Sequence, residues 1–426
     1  MEGPEGSGDT LIIHASELLT LRGANRARTR NEMSDLAIIR DGAVAVSDGV
    51  VLEVGTTADI VSRHRAAGVE TIDATGKVVM PGFVDPHTHL VFGGSREFEL
   101  DMKLSGKSYM EIMESGGGIF RTVKDTRAAS KQDLFDLASK RLETMVSHGS
   151  TTIEAKSGYG LDRKTEFKIL EVVEELDKKY PADLVPTFMG AHAVPPEFGE
   201  KPDEYIQFII DEVLLDLRSK GLAEFCDVFC EEGVFTVGQS RKMLMAAKSL
   251  GFRPKVHADE FKGTGGAELA AEVGAISADH LAKPSDDGIM AMARKGVVGV
   301  LLPGTPFASM QGDYAEARRL IDLGVPVALG TDLNPNCWNP SMQHTVSLAC
   351  YQMKMRPAEA LVAATFNAAA AIDRDEVVGS LEPGKKADIL VMDVPTHEHI
   401  PYRLGTNLCS TVIKDGRKVW ERPGLL

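Results

Sequence analysis

The sequence has few cysteines, no long apolar run and no clustered positive charge, and each shortage excludes a class of protein. Five cysteines in 426 residues, without the spacing of a disulfide framework, exclude a disulfide-stapled scaffold and suit a reducing compartment. No apolar stretch reaches the roughly 18 to 20 residues that a membrane-spanning helix needs. A formal net charge of -15 argues against a nucleic-acid surface, which requires clustered lysine and arginine.

The start of the chain also lacks the features of a secretory signal. It is acidic and rich in glycine, whereas a signal peptide begins with basic residues followed by an apolar segment. Together with the cysteine usage, this start predicts a cytoplasmic protein. The chain is 43% hydrophobic, which provides for a large core and a second, smaller domain.

The middle of the chain alternates short apolar runs, rich in β-formers, with helical stretches. The expected strands are Val79 to His87, Thr151 to Ala155, Leu184 to Gly190, Cys226 to Cys230, Arg253 to His257, Ala275 to Asp279, Val297 to Leu302 and Val325 to Gly330. Strands that alternate with helices form parallel βα units, and eight units fit an α/β fold of the TIM-type (β/α)8 barrel. No G-x-G-x-x-G turn follows the first strand, which disfavours a dinucleotide-binding open sheet.

The two ends of the chain have a different pattern, with short apolar segments separated by turns. Asp-Gly dipeptides at Asp41, Asp48 and Asp415 lie between apolar runs and favour β-hairpins. Neither end has enough strands to form a sturdy sandwich alone. We therefore predict one small β-sandwich domain built from residues 1–77 and 379–426, flanking a barrel at 78–378.

The segment from Asp85 to His89 contains a His-x-His pair at the end of the first expected barrel strand. Side chains alternate along a strand, so His87 and His89 point to the same side and can share a metal ion. Catalytic groups of such barrels lie at the carboxyl ends of the strands, where His257 and Asp332 also fall. Three imidazoles and a carboxylate leave an open position for a water that the metal activates.

Each proposed ligand has a simpler alternative. A lone His-x-His arises by chance, and the chain has a second one at His397 and His399, in a turn-rich segment where metal binding is not expected. Asp332 is alternatively a helix N-cap, although as a ligand it would also help to deprotonate the water. The agreement of four residues at strand ends favours the metal site.

Other polar residues at the same strand ends suit a small polar substrate. Arg96 can hold a carboxylate through two hydrogen bonds, and Glu260 can carry a proton to a leaving nitrogen. Tyr159 and His192 can complete a polar wall around a small ring, and His280 follows Asp279 at the end of the sixth strand. For all five, the alternative is an ordinary structural or surface role.

Lys156 raises the alternative of a carboxylated lysine that bridges two metal ions. Such a bridge is expected on the fourth barrel strand, and Lys156 ends the second. We therefore favour a single metal ion.

At this point the residues resemble the amidohydrolase superfamily and, more narrowly, its imidazolonepropionase family. The His-x-His pair alone indicates the superfamily, whereas the lysine-containing and Gly-Ala-His motifs are more specific. The shared motifs are Phe83-Val-Asp-Pro-His-Thr-His, Gly93-Gly-Ser-Arg-Glu-Phe, Gly116-Gly-Gly-Ile, Lys156-Ser-Gly-Tyr-Gly-Leu-Asp, Gly190-Ala-His-Ala-Val-Pro, His257-Ala-Asp-Glu, Ala278-Asp-His and Gly330-Thr-Asp-Leu-Asn-Pro.

The resemblance implies a hydrolase of histidine degradation that opens the ring of 4-imidazolone-5-propanoate to give N-formimidoyl-L-glutamate. It implies one Zn2+ or Fe3+ ion per subunit and a homodimer. The implied metal ligands are His87, His89, His257 and Asp332, and the implied catalytic groups are Glu260, His280 and Asp332. The implied substrate contacts are Arg96, Tyr159, His192, Glu260 and Asn334.

One departure from the family pattern concerns the residues after Asn334. Many members continue with glycine and then serine or threonine, whereas this chain has Asn336 and Cys337. We keep both as candidate substrate contacts, through side chain or backbone. The alternative function is a deaminase of a small heterocyclic amine with nearly the same metal set, and a non-catalytic scaffold is disfavoured because no expected ligand is missing.

Overall fold

The structure is a computed structural model that describes residues 9–23, 25–65, 68–107 and 109–423. The acidic start of the chain, on which the expectation of no signal sequence rests, lies outside these ranges. Within them, no helix has the length and apolar character required to cross a bilayer. All five cysteines are free thiols.

Eight parallel strands form the barrel, and they follow one another around it in chain order. The TIM-type fold predicted from the alternating pattern is therefore confirmed. The barrel strands are Phe83–Asp85, Ser150–Lys156, Asp183–Ala191, Phe225–Cys230, Arg253–Ala258, Ser277–His280, Val298–Leu301 and Val327–Leu329.

Amphipathic helices cover the outside of the barrel. The helix Lys131–Ser147 begins with a capping box, in which Ser130 and Asp133 each bond the other's backbone N–H, and it buries one apolar face. The helices described are Thr57–His64, Glu99–Leu104, Tyr109–Glu114, Gly118–Ala128, Lys131–Ser147, Arg163–Lys179, Pro202–Phe208, Leu214–Lys220, Val237–Ser249, Gly266–Val273, Asp286–Lys295, Gly304–Ala308, Ala317–Leu323, Met342–Met353, Pro357–Ala363, Phe366–Ala370 and His399–Tyr402, with a π turn at Ile209–Val213 and 3-10 turns at Arg30–Ser34 and Pro196–Phe198.

The first and eighth strands close the barrel through the residues that follow them. The backbone N–H of Asp332 donates to the His87 carbonyl at 3.0 Å, and the N–H of His89 donates to the Leu333 carbonyl at 2.9 Å. Thr88 and Leu333 form a parallel bridge. The barrel seam therefore lies at the candidate metal ligands.

The first barrel strand is shorter than the sequence predicts. The expected strand from Val79 to His87 is divided at Gly82 into Val78–Pro81, in a separate six-stranded sheet, and Phe83–Asp85, in the barrel. A Cβ atom at Gly82 would overlap the side chain of Thr151. The chain thus passes from one sheet to the other at a residue that tolerates no side chain.

Two sheets lie beside the barrel, one built from residues 10–73 alone and one to which both chain ends contribute. A four-stranded sheet contains Val50–Thr56, Gly42–Ser47, Thr10–Ala15 and Glu70–Asp73, in that order. The six-stranded sheet contains Arg417–Glu421, Cys409–Lys414, Ile389–Met392, Val78–Pro81, Glu17–Leu19 and Ile38–Ile39. One apolar cluster joins the sheets, with Ile12 and Val44 from the first and Val79, Ile389 and Ile413 from the second. This packing confirms the predicted small β-sandwich from both termini.

The loop that leads to Arg96 packs closely on the helix Gly118–Ala128, and Gly93 in this loop offers a test of that contact. A Cβ atom there would lie 2.8 Å from the Asp125 carbonyl oxygen, which is backbone and cannot move aside. We expect Gly93→Ala to destabilise the protein by about 1–3 kcal/mol and to lower the midpoint of thermal unfolding followed by circular dichroism.

Gly312→Ala is the matched control. Gly312 is exposed, and a Cβ atom added there would have no atom of the described residues within 4 Å. The midpoint of thermal unfolding of Gly312→Ala should equal that of the parent protein. Equal midpoints for both variants would contradict the close approach at Gly93.

Candidate active site

Three imidazoles meet at the carboxyl end of the barrel. His87 and His89 follow the first barrel strand, and His257 lies near the end of the fifth. The His87 ring centroid lies 4.5 Å from that of His257 and 5.7 Å from that of His89. All three side chains are buried. The fold therefore brings together three potential metal ligands from opposite sides of the barrel.

Asp332 joins this group from the segment after the eighth strand. Its Oδ1 atom lies 3.6 Å from His87 Nε2, and the potential ligand atoms of His87, His89 and Asp332 lie within 4.8 Å of one another. Asp332 Oδ2 accepts a hydrogen bond from Thr305 Oγ1, and Oδ1 accepts one from Asn334 Nδ2 at 2.8 Å. Two donors therefore fix the carboxylate beside the imidazoles.

The alternative role for Asp332 as a helix N-cap is wrong. The next helix begins at Met342, and its N-cap is Ser341, which accepts a hydrogen bond from the N–H of His344. Asp332 instead has a φ angle of 48°, in the left-handed region. This uncommon backbone conformation turns the chain directly after the strand.

The Nδ1 atom of each imidazole contacts a hydrogen-bond acceptor. A carboxylate or a carbonyl oxygen only accepts, so the Nδ1 atoms carry the protons and the Nε2 atoms keep their lone pairs. Burial lowers the pKa of His87 and of His89 well below the usual value, so both rings are neutral. The contacts are His87 to Asp279 Oδ2 at 2.7 Å, His257 to Asp227 Oδ2 at 3.0 Å and His89 to the Ser157 carbonyl at 3.3 Å.

His87 Nε2 is a buried nitrogen without a hydrogen-bond partner among the described residues. A buried polar atom without a partner costs free energy, and a neutral imidazole nitrogen is a good ligand for a metal ion. Neighbouring imidazoles and a carboxylate supply the other donors of a zinc or iron site. The donor set therefore fits a metal ion.

His280 and Glu260 lie beside the imidazoles. The His280 ring is 5.1 Å from that of His257, and His280 Nε2 is 3.6 Å from Glu260 Oε2. Burial raises the pKa of Glu260 well above its usual value, and the charges of Asp332 and Glu231 raise it further. Both effects favour the protonated form of this carboxyl group. His280 is also close enough to His87 to count as a potential ligand, since His87, His257 and His280 lie within 4.8 Å by their ligand atoms.

Arg96 is held by a neighbouring carboxylate. Arg96 Nε and Nη2 each donate to a Glu99 oxygen at 2.7 Å, and both side chains are buried. Glu99 Oε1 also accepts from the N–H of Gly118 at 2.7 Å. This close approach explains Gly117, because a Cβ atom there would lie 2.7 Å from Glu99 Oε1, whereas Gly116 and Gly118 have positive φ angles of 84° and 72°.

Tyr159 and His192 form an aromatic wall next to His89. The His192 ring stacks on the His89 ring, with 4.9 Å between centroids and 13° between planes. Tyr159 lies 5.2 Å from His89 and 5.3 Å from His192 by ring centroids. Burial lowers the pKa of His192 to about 3, and its Nδ1 donates to the Gly158 carbonyl at 3.0 Å.

The loop after Asp332 is organised by the side chain of Asn334. Its Oδ1 accepts from the N–H groups of Asn336 and Cys337, at 2.8 and 3.0 Å. The Asn336 side chain accepts from Lys103 Nζ at 2.6 Å and donates to Ser309 Oγ at 3.0 Å. The Cys337 side chain is buried. These contacts hold the loop against the neighbouring segments at the mouth of the barrel.

Several residues of the site were not found by sequence reasoning. Asp227 and Glu154 are fully buried in the barrel with Lys156 and Lys255. Asp279, noted above only as a strand end, accepts a hydrogen bond from His87 Nδ1. The sequence did contain a sign that these charged residues share the barrel interior. Glu154 and Lys156 are two residues apart in one strand, as are Lys255 and His257 in another, so each pair faces the same side.

Lys156 does not support the binuclear alternative. Its Nζ atom lies 2.7 Å from Asp227, 2.9 Å from Glu154 and 3.3 Å from Asp279 by carboxylate oxygens. A carboxylated lysine is an anion, and three adjacent carboxylates would repel it. The contacts are those of an ammonium group.

The second His-x-His pair lies far from this group. His397 Nδ1 contacts Glu17 Oε2 at 2.9 Å, whereas His399 Nδ1 contacts Thr396 Oγ1 at 2.9 Å. The two imidazoles therefore have different partners. They do not converge as His87 and His89 do.

Comparison with known proteins identifies the class. Residues 78–419 match the model of the amidohydrolase family. The fold is also similar to that of a zinc-bound adenosine deaminase from Xanthomonas campestris, with a TM-score of 0.70 and 19% identity over 97% of this chain and 93% of that one. A 5-methylcytosine deaminase from Klebsiella pneumoniae gives a TM-score of 0.73 at 17% identity, over 98% and 99%. The chain belongs to the amidohydrolase family, whose members are metal-dependent hydrolases.

Closer relatives define its place in that family. The chain is 54% identical to the imidazolonepropionase of Geobacillus kaustophilus, over 96% of this chain and 97% of the relative. It is 48% identical to that of Alkaliphilus metalliredigens, over 97% and 98%. Within the amidohydrolases, the chain thus belongs with the imidazolonepropionases.

Proposed function

We propose that the protein opens the ring of 4-imidazolone-5-propanoate with water to give N-formimidoyl-L-glutamate, using one zinc or iron ion held by His87, His89, His257 and Asp332. The support is the full-length similarity to imidazolonepropionases together with the unpartnered, buried His87 Nε2. A cyclic amide is hydrolysed when a hydroxyl group adds to the carbonyl carbon, the C–N bond breaks and a proton reaches the nitrogen.

A zinc or iron ion held by these four residues would supply the Lewis acidity that lowers the pKa of a water toward ~7. The chain's own residues handle the protons and the charge that develops. Asp332 is placed to accept the proton of the attacking water, with Thr305 and Asn334 fixing its carboxylate. His280 donates a hydrogen bond to the oxygen on which negative charge develops. Glu260, whose pKa is raised by burial, delivers a proton to the departing ring nitrogen.

The substrate's carboxylate and ring bind on the other side of the site. We assign the carboxylate to Arg96, which Glu99 orients through two hydrogen bonds. Tyr159, His192 and Asn334 line the space around the ring. Contacts of Asn336 and Cys337 with substrate remain predictions: the Asn336 side chain bonds Lys103 and Ser309, and the N–H groups of both residues donate to Asn334 Oδ1.

We also propose a cytoplasmic location and a homodimer. Free thiols at all five cysteines suit a reducing compartment. Two-fold dimers are the commonest assemblies among soluble enzymes, and the family resemblance implies one here.

The reaction itself can be tested with purified protein. We expect imidazolone absorbance to disappear with 4-imidazolone-5-propanoate and no ammonia to be released. Exhaustive chelation should abolish this activity, and elemental analysis should find one ion per chain. Full activity after chelation would exclude the proposed metal role, and ammonia release from heterocyclic amines without imidazolone turnover would favour a deaminase.

Arg96→Ala should raise KM for the substrate at least tenfold, because a two-pronged bond to a carboxylate is lost, and should leave metal content unchanged. The double variant Arg96→Ala with Glu99→Gln should show the same rise in KM. It also removes the negative charge of Glu99, which Arg96→Ala alone leaves without its partner. Arg121→Ala, which breaks an exposed ion pair with Asp125, is the control. A parental KM in the first two variants would remove Arg96 from substrate binding.

Glu260→Gln should reduce kcat by about 10²–10⁴-fold, because the amide keeps the shape of the side chain but delivers no proton. Metal content, measured by elemental analysis, should stay at the parental value. Glu232→Gln, on an exposed carboxylate paired with Lys262, should leave kcat unchanged. Loss of metal from Glu260→Gln would indicate a structural role in the metal site.

A further inference from the structure

A cluster of five charged side chains lies inside the barrel, behind the candidate metal ligands. Its members are fully buried, and the proposed reaction uses none of them directly. We call it the buried ion cluster; it consists of Glu154, Lys156, Asp227, Lys255 and Asp279. Charged groups in a protein interior are costly unless they are paired, so the arrangement calls for a functional reason.

Lys156 contacts two carboxylates of the buried ion cluster that also bind candidate metal ligands. Its Nζ atom lies 2.7 Å from Asp227 Oδ2 and 3.3 Å from Asp279 Oδ2. These are the same two oxygens that accept the Nδ1–H groups of His257 and His87. One ammonium group therefore joins two imidazoles that come from the fifth and first barrel strands.

We propose that Lys156 is a positioning residue for the metal ion. It holds the two carboxylate oxygens that fix His87 and His257 with their protons on Nδ1 and their Nε2 atoms turned toward the ion. The inference rests on the ligand set of the proposed function and extends it to a residue that touches neither metal nor substrate.

Two carboxylates are held close to one cation. Without the ammonium, the Asp227 and Asp279 oxygens would lose their common counter-charge and repel each other. Either side chain would then rotate away from its imidazole, and that ring would lose the hydrogen bond that fixes its orientation. Hydrogen-bond partners behind a metal ligand typically contribute about 10–100-fold to metal affinity.

Lys255 provides a control within the same cluster. It is as buried as Lys156 and also pairs with Glu154, at 2.9 Å. Its other hydrogen bonds go to the backbone carbonyls of Pro86 and Ala371, at 3.2 and 3.3 Å. Replacing it removes the same charge from the same depth but leaves the two carboxylate contacts of Lys156 in place.

The test compares Lys156→Met and Lys255→Met as full-length, metal-free proteins titrated with Co2+. Affinity is measured by competition with a chelator, and the geometry around the ion by its visible absorption spectrum. We expect Lys156→Met to weaken Co2+ binding at least tenfold and to change the spectrum. Lys255→Met should stay within threefold of the parent with an unchanged spectrum. Circular dichroism establishes that each variant is folded.

Parental affinity and spectrum in Lys156→Met would overturn the proposal, as would equal losses in both variants, which would indicate a general effect of buried charge. If Lys156→Met does not fold, Lys156→Met with Glu154→Gln removes one charge of each sign, and the same weakening is expected. Because Co2+ binding needs no substrate, failure here leaves the proposed reaction standing. Absence of Co2+ binding by the parent would instead overturn both.

Discussion

The hydrogen bonds from His87 Nδ1 to Asp279 and from His257 Nδ1 to Asp227 are the constraint on which the site depends. A ring that is protonated on Nδ1 must present Nε2 with its lone pair, so these bonds decide which nitrogen faces the other candidate ligands. Both carboxylates lie in strands other than those that carry the imidazoles. The barrel interior therefore helps to set the geometry of the candidate metal site.

Much of the fold and of the ligand group could be predicted from the sequence. The carboxyl ends of parallel strands meet at one end of a barrel, so His87, His257 and Asp332 were expected together although they lie far apart in the chain. The division of the first strand at Gly82 was not expected. The apolar run from Val78 to Val84 is continuous, and an apolar pattern does not reveal that its residues enter two different sheets.

The partners of the site residues were harder to predict. Asp227 faces His257 only because the fourth and fifth strands pair in one particular register, which composition does not specify. The Arg96–Glu99 pair illustrates a second limit. Its three-residue spacing suits a helical ion pair, yet only the structure shows that both residues are buried and that Glu99 also binds the backbone at Gly118.

The closure of the barrel through His87, His89, Asp332 and Leu333 has a consequence for the order in which the molecule matures. The donors on one side of the seam are synthesised early, whereas Asp332 emerges only after most of the chain. A nascent polypeptide therefore presents the four side chains together only once the segment after the eighth strand has paired with the one after the first. The backbone hydrogen bonds at this seam join the earliest-made and latest-made parts of the barrel.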